Sequence, residues 1–100
     1  MFERWEDPQA VEWAKKVKVR DNHVCQLCHR YGIPLNSHHL NSWDLFVEQR
    51  YELDNGVTLC VRCHERFHSI YGRGKNTLFQ FQQFKKSISL FKQANEKLIK

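Results

Sequence analysis

The sequence lacks any long hydrophobic run: no apolar stretch of its 100 residues approaches the ~18 that a membrane-spanning helix needs. It also lacks internal repeats and low-complexity linkers. Its first seven residues carry four charged side chains and not the basic-then-apolar order of a secretory signal. Hydrophobic residues make up 41% and charged residues 27%, which argues against a disordered or collagen-like chain. We therefore expect a folded protein that is neither exported nor inserted in a membrane.

The charge is unevenly distributed along the chain. The net charge is +5, yet residues 21–68 carry a net charge of −2, and this section holds all four cysteines and all six histidines. Residues 69–100 carry seven basic side chains against one acidic side chain. Basic residues attract polyanions because each neutralised phosphate releases counterions. The tail therefore indicates either a nucleic-acid contact or simply a solvated lysine-rich helix face.

Two helices are predicted at the ends of the chain. Asp7 and Pro8 form a helix start, and the helix should end near residues 20–22. Its apolar positions at helical spacing are Ala10, Val11, Ala14 and Val17, with Trp13 to one side. Thr77 and Gln80 form a capping box for a second, longer helix. One apolar stripe of that helix contains Phe81, Phe84, Ile88, Phe91 and Leu98.

The middle of the chain combines short extended and helical segments. An extended stretch runs through residues 34–40, and residues 43–51 are expected to be loop with a helical turn. A turn at residues 54–56 precedes a short β-run at 57–59. Residues 60–70 are predicted to be helical, with apolar contacts through Val61, Phe67 and Ile70.

The cysteines form two CxxC pairs, which are Cys25 with Cys28 and Cys60 with Cys63. Two residues between thiols let both sulfurs reach one metal ion, and two such pairs complete a tetrahedral site. The alternative is two disulfides. It is disfavoured because no export signal is present and cysteine thiols stay reduced in the cytosol. A structural zinc would also supply stability that a core of this size lacks.

His38 and His39 lie between the two CxxC pairs, and His64 and His68 follow the second pair within five residues. His64 and His68 are four residues apart, so on a helix their rings share one face and can bind one ion. His38 and His39 are neighbours in an extended segment and should point to opposite sides. One of them can therefore be a metal ligand while the other, with a pKa near ~6.5, acts as a general base. For His23 and His29 we expect ordinary surface roles.

His39, Asn55 and His64, framed by the two CxxC pairs, resemble the H-N-H signature of the HNH endonucleases, as in phage and mobile-intron members. The resemblance covers about residues 20–72. It implies an α+β fold with a small ββα-metal core (the His-Me finger), stapled by a zinc site of four cysteines. With the flanking helices at about 8–20 and 77–98, we expect residues 1–100 to form a single domain.

The resemblance also implies roles for these residues. His39 would be the general base, Asn55 would hold the loop that orients it, and His64 would bind the catalytic metal. As in the colicin nucleases, a His-His pair and a histidine four residues after the helix ligand imply a metal triad of His38, His64 and His68. Imidazoles suit Zn²⁺, Ni²⁺, Co²⁺ or Mn²⁺; if His68 instead faces the core, Mg²⁺ or Mn²⁺ fits better.

The implied activity is metal-dependent hydrolysis of DNA to 5′-phosphate and 3′-hydroxyl ends. Expected phosphate contacts are Arg73, Lys75, Lys85, Lys86 and Lys92. The expected location is the cytoplasm, that of a bacterial host if the protein is phage-encoded, with phage packaging or other DNA-processing proteins as further partners. Two alternatives stay open: a non-catalytic zinc-ribbon module that binds nucleic acid, and a zinc domain that serves as a packaging accessory. DNA specificity and oligomeric state cannot be read from the residues.

Overall fold

A computed structural model of the protein describes residues 6–99, with side chains described up to residue 90. The predicted α+β fold is confirmed: a two-stranded antiparallel sheet is combined with helices at both ends and one in the middle. The helices are α1 (Pro8–Arg20), α2 (Val61–Tyr71) and α3 (Leu78–Ile99), and the strands are β1 (Leu35–His39) and β2 (Gly56–Cys60). Among residues 6–99, no helix combines the length and apolar character of a membrane span.

Helix α1 begins where its cap residues predict. Asp7 Oδ1 accepts a hydrogen bond from the Gln9 backbone N–H at 2.9 Å, and Pro8 occupies the first helical turn. The buried side chains of α1 are Ala10, Trp13 and Val17. The expectation that Trp13 lies to one side of the buried stripe is wrong, because the Trp13 side chain is buried. Val11, which was expected to belong to that stripe, is exposed.

The sheet is short, and α1 and α2 cover its opposite faces. Its register runs from Leu35 opposite Cys60 to His39 opposite Gly56. Ser37 and Thr58 face α1, where the Ser37 hydroxyl donates to the Ala14 carbonyl at 2.7 Å. Between the strands, short 3-10 helices span Val47–Gln49 and Leu53–Asn55.

Helix α2 follows β2 without a loop and buries one narrow face. Phe67 is fully buried against Leu59 and against Phe81 and Phe84 of α3. The predicted contacts of Val61 and Ile70 are wrong, since these side chains are 40% and 60% exposed. They lie on flanks of α2 that neither the sheet nor α3 covers.

Helix α3 starts with the predicted capping box. The Gln80 backbone N–H donates to Thr77 Oγ1 at 3.2 Å, and the Thr77 backbone N–H donates to Gln80 Oε1 at 3.1 Å. Phe81 and Phe84 are buried and Ile88 is half-buried, as the stripe predicts. The side chains of Phe91 and Leu98 lie outside the described residues.

Candidate active site

The adjacent histidines of β1 occupy opposite faces of the sheet. His38 is opposite Val57, and His39 is opposite Gly56 at the end of the strand pair that residues 40–55 connect. Both rings are buried, His38 at 4% exposure and His39 at 7%. His38 contacts Phe67, beneath α2, while His39 stacks on Trp13 of α1. The alternation of side chains along a strand thus separates two chemically similar residues into two environments.

Three imidazoles converge on the α2 side of the sheet. His38 Nδ1 lies 3.2 Å from His64 Nε2, which lies 2.9 Å from His68 Nε2. Nitrogen atoms bound to one tetrahedral ion at ~2.0–2.1 Å would be ~3.3 Å apart, so these three atoms fit a shared ion. One ring nitrogen from each residue lies within 4.8 Å of the other two. His68 thus takes its place in this cluster and not in the apolar core.

Two of these rings contact further groups through their other nitrogen. His68 Nδ1 lies 2.7 Å from the carbonyl oxygen of Gly72, which can only accept, so Nδ1 carries the proton and the lone pair is on Nε2. His64 Nδ1 lies 3.0 Å from the side-chain amide of Asn36. Such outer partners set the tautomer and orientation of histidines that bind metals.

On the opposite face, the geometry fixes the His39 ring tightly. The ring lies parallel to the Trp13 indole, with 3.8 Å between centroids and 12° between planes. His39 Nε2 lies 2.9 Å from the Arg50 carbonyl oxygen and therefore donates to it. In a neutral ring the lone pair is then on Nδ1. Trp13 is held in turn by its indole N–H, which donates to the Glu52 carbonyl at 2.8 Å.

Asn55 holds the segment between the strands. Its Oδ1 accepts from the Asn41 N–H at 2.8 Å, while its Nδ2 donates to the carbonyls of Asn41 and Gln49 at 2.9 and 3.2 Å. Asn55 is itself buried. Because Gln49 precedes Arg50, these bonds anchor the carbonyl that orients His39.

Charged and aromatic groups surround the entrance to the His39 face. The Arg50 guanidinium lies 4.4 Å from the centroid of the Trp43 ring, and Arg50 Nε donates to the Trp43 carbonyl. The Tyr51 hydroxyl donates to Asp7 Oδ2 at 2.6 Å. This bond lowers the pKa of the Asp7 carboxyl and raises the pKa of the Tyr51 phenol. It also ties the start of α1 to the loop that carries Arg50.

The four cysteines meet at the other end of the sheet. Their sulfurs all lie within 4.8 Å of one another, and Cys28 Sγ is 3.6 Å from Cys60 Sγ. Sulfurs on one zinc ion at ~2.3 Å would be ~3.8 Å apart, whereas a disulfide needs ~2.0 Å. All four are free thiols. The arrangement fits a structural zinc site and not two disulfides.

The surroundings of the thiols act on their pKa values in opposite directions. Burial and the neighbouring thiol of Cys60 raise the pKa of Cys63, and burial raises that of Cys28. Burial also opposes ionisation of Cys25, but backbone N–H groups of Cys28, Cys60 and Leu27 outweigh it and bring the pKa of Cys25 to about 7. Zinc must displace the protons that remain, so its affinity falls as the pH is lowered.

The basic residues expected to contact DNA are placed unequally. The Arg73 guanidinium forms an ion pair with Glu65, and the Lys75 backbone N–H donates to Asp44 Oδ2 at 3.2 Å. Lys85 and Lys86 are exposed on α3, away from its buried phenylalanines. The side chain of Lys92 lies outside the described residues. Contact of these residues with DNA remains a prediction.

Three groups at the site were not identified from the sequence: Asn36, Trp13 and the Arg50 carbonyl. Asn36 had a usable signal, since it precedes His38 by two residues and shares its face of the strand. Trp13 lies within the predicted α1, but helical spacing alone does not say what a helix packs against. The Arg50 carbonyl is a main-chain atom, which no residue pattern singles out.

Comparison with known proteins identifies one segment. Residues 25–69 match the family model described as HNH endonuclease. This span contains all four cysteines, Asn55 and the histidines of both faces. Helix α1, including Trp13, lies outside it. No curated protein and no solved structure matches the chain significantly.

Proposed function

Given that residues 25–69 match the HNH endonuclease family, we propose that this protein is a metal-dependent nuclease that hydrolyses DNA to 5′-phosphate and 3′-hydroxyl ends. The family match supports a nuclease-type function in general and a nucleic acid as the substrate. One observation carries the finer proposal. On one face of the sheet His38 converges with two imidazoles of α2, and the next residue of β1, on the opposite face, is a histidine whose Nε2 proton is donated to a carbonyl.

His39 is the proposed general base. Its Nε2–H donates to Arg50, so the lone pair on Nδ1 is the group that accepts a proton from the attacking water. The water oxygen forms a bond to phosphorus while its proton passes to His39, the bond from phosphorus to the 3′-oxygen breaks, and the 3′-oxygen takes a proton from solvent water to become the hydroxyl. Stacking on Trp13 keeps the ring in one plane, and Asn55 keeps the Arg50 carbonyl in place.

His38, His64 and His68 are the proposed ligands of a divalent ion. When bound, such an ion would neutralise charge on the phosphate and assist departure of the 3′-oxygen. An all-nitrogen set favours Mn²⁺, Co²⁺, Ni²⁺ or Zn²⁺ over Mg²⁺. The four cysteines would hold a separate structural zinc. Three protein ligands leave a position for phosphate, whereas four thiolates leave none.

DNA as the substrate is supported by charge. Lys85 and Lys86 are exposed, and the tail that they belong to is strongly basic. Arg50 adds a guanidinium next to Trp43, whose ring contacts His39 at 5.6 Å between centroids. A phosphodiester lying near His39 would therefore meet positive charge close to the base.

The test is cleavage of supercoiled and linear DNA by zinc-loaded protein across a panel of added Mg²⁺, Mn²⁺, Co²⁺, Ni²⁺ and Zn²⁺. We expect nicking that requires an added ion, and nicks that DNA ligase reseals without prior phosphorylation, because the ends are 5′-phosphate and 3′-hydroxyl. DNA binding without cleavage under every ion would instead indicate a non-catalytic zinc module. Absence of both would indicate a protein-interaction domain.

A further inference from the structure

We propose that Asn36 is a positioning residue for His64. It fixes the ring tautomer in which Nε2 carries the lone pair that faces the metal site. The inference rests on the metal-binding role proposed for the histidine cluster, but not on DNA cleavage. Asn36 lies opposite Leu59 in the sheet, and its side-chain amide is the group next to His64 Nδ1, with Asn36 Nδ2 as the contacting atom at 3.0 Å.

The tautomer of His64 depends on which end of the amide faces the ring. In the structure Asn36 Nδ2 faces Nδ1; with Nδ2 donating, a neutral ring carries its hydrogen on Nε2, which cannot then bind an ion. If the amide oxygen faces the ring, Nδ1–H donates to it and the lone pair lies on Nε2. The two orientations differ by a half-turn of the amide and occupy the same space. Metal binding through Nε2 therefore requires the orientation with the oxygen toward the ring.

The position of Nε2 shows why this choice matters. It is the atom of His64 that lies within 3.2 Å of His38 Nδ1 and 2.9 Å of His68 Nε2, at the centre of the cluster. Nδ1 points the other way, toward the strand. A ring with its hydrogen on Nε2 would place that hydrogen where three ligand atoms converge.

The tautomer of His68 is likewise set by a hydrogen bond at Nδ1, but there the partner is a main-chain atom. Its Nδ1 meets the carbonyl of Gly72, which can only accept, so the tautomer with the lone pair on Nε2 is fixed whatever the side chains. His64 depends instead on a side chain that both donates and accepts. A substitution can therefore remove the hydrogen-bond partner of His64, whereas it cannot remove the main-chain partner of His68. Loss of such partners typically weakens metal affinity ~10–100-fold.

The backbone explains how Asn36 reaches His64. Asn36 and His38 are two residues apart on β1, so both side chains face α2. Leu59, opposite Asn36, is one residue before Cys60, the cap of α2, and His64 follows in the first turns of that helix. The same strand thus positions both the Asn36 amide and the proposed ligand His38.

The experiment measures Co²⁺ binding to zinc-loaded protein by calorimetry, without DNA. We expect Asn36→Leu to weaken Co²⁺ binding ~10–100-fold and Asn36→Asp, which keeps an acceptor, to retain wild-type affinity or exceed it. Ser37→Ala is the matched control, since Ser37 is the next residue on β1 but faces α1. A thiolate-to-cobalt absorption band would reveal cobalt in the cysteine site, and samples showing it are excluded.

A second readout separates positioning from packing. Nitrogen-15 NMR of protein that holds zinc at the cysteines but no ion at the histidines should show the His64 proton on Nδ1 in wild type and in Asn36→Asp, and a mixture of both tautomers in Asn36→Leu. Wild-type affinity in Asn36→Leu, or equal losses in Asn36→Leu and Asn36→Asp, would overturn the role of Asn36. If wild type bound Co²⁺ no better than His64→Ala, the metal role of the cluster would fail instead, which is a distinguishable result.

Discussion

The two faces of the small sheet place the same residue type in different surroundings. On the α2 face, His38 joins two histidines of the helix in a cluster suited to an ion. On the α1 face, His39 has one parallel aromatic neighbour and one carbonyl acceptor, a setting suited to a base. The difference arises from neighbours, not from the imidazole. It teaches that one peptide step on a strand can separate surroundings suited to a metal ligand from surroundings suited to a base.

Breaking both faces at once should have the largest effect, and Cys60→Ser is the variant for this. Cys60 ends β2, caps α2 and belongs to the cysteine cluster. Serine keeps the capping ability but not the thiolate. We expect loss of the bound zinc and unfolding of the segment between the two CxxC pairs, because structural zinc contributes folding energy directly.

Zinc content by mass spectrometry and thermal denaturation by circular dichroism check this prediction. Val61→Ser, at the next and exposed position, serves as the control. One zinc per chain at unchanged thermal stability in Cys60→Ser would refute the assignment.

Breaking the α2 face alone should abolish metal binding by the histidines while the fold persists. For His64→Ala we expect Co²⁺ affinity to fall by more than the ~10–100-fold typical of a lost outer partner, because a direct ligand is removed. Calorimetry on zinc-loaded protein measures it. His23→Asn is the control, since His23 is exposed with φ at +56°, a conformation that asparagine tolerates. Retained affinity in His64→Ala would mean that the ion binds elsewhere.

Disturbing the α1 face alone should affect stability and cleavage but not metal binding. At Gly56, opposite His39, an added Cβ would lie 2.5 Å from Val17 Cγ2 and 2.6 Å from Trp13 Cζ2. Gly56→Ala must therefore push α1 and the stacked indole away from the sheet. Overpacking of this kind costs ~1–3 kcal/mol.

Urea unfolding of Gly56→Ala should show this loss, nicking should slow, and Co²⁺ affinity should stay unchanged. Gly74→Ala is the control, because the nearest atom to its added Cβ is Asp44 Oδ2 at 3.5 Å, an ordinary contact. Unchanged stability in Gly56→Ala would show that α1 does not pack this closely.

Changing neither face should give the smallest effect. Lys85 and Lys86 are exposed on α3, far along the chain from both histidine sites. Replacing both by glutamine should weaken DNA binding equally for all sequences, and the slope of log affinity against log salt should fall by ~0.9 per lost phosphate contact. The arginine pair at the same positions, which keeps the charge, is the control. Identical slopes in all three proteins would leave these lysines as solvated surface.

Much of this architecture was predictable because it is local. The caps of α1 and α3 depend on residues within one turn, and the alternation of a strand separates His38 from His39 without knowledge of the rest of the fold. Spacing of four residues likewise brings His64 and His68 onto one face of α2. These features need only the geometry of a single element.

The remaining features depend on contacts between distant elements. Trp13 contacts His39 only because α1 crosses the sheet where Gly56 leaves room for the indole. This contact depends on α1, β1 and β2 together. Val61 and Ile70 look like core positions on a helix, but α2 is covered along one narrow face only. The tautomers of His39 and His68 depend on main-chain carbonyls, which carry no residue identity.

The division of labour between the faces is tested most directly in His39→Ala, with two measurements on one zinc-loaded preparation. We predict that Co²⁺ binding by the histidine cluster stays at wild-type affinity, whereas plasmid nicking at saturating DNA and metal falls ~10²–10⁴-fold, the usual contribution of a general base. Loss of Co²⁺ binding in this variant would contradict the account, because His39 would then be a ligand and His38 the candidate base. Full nicking activity would contradict it equally.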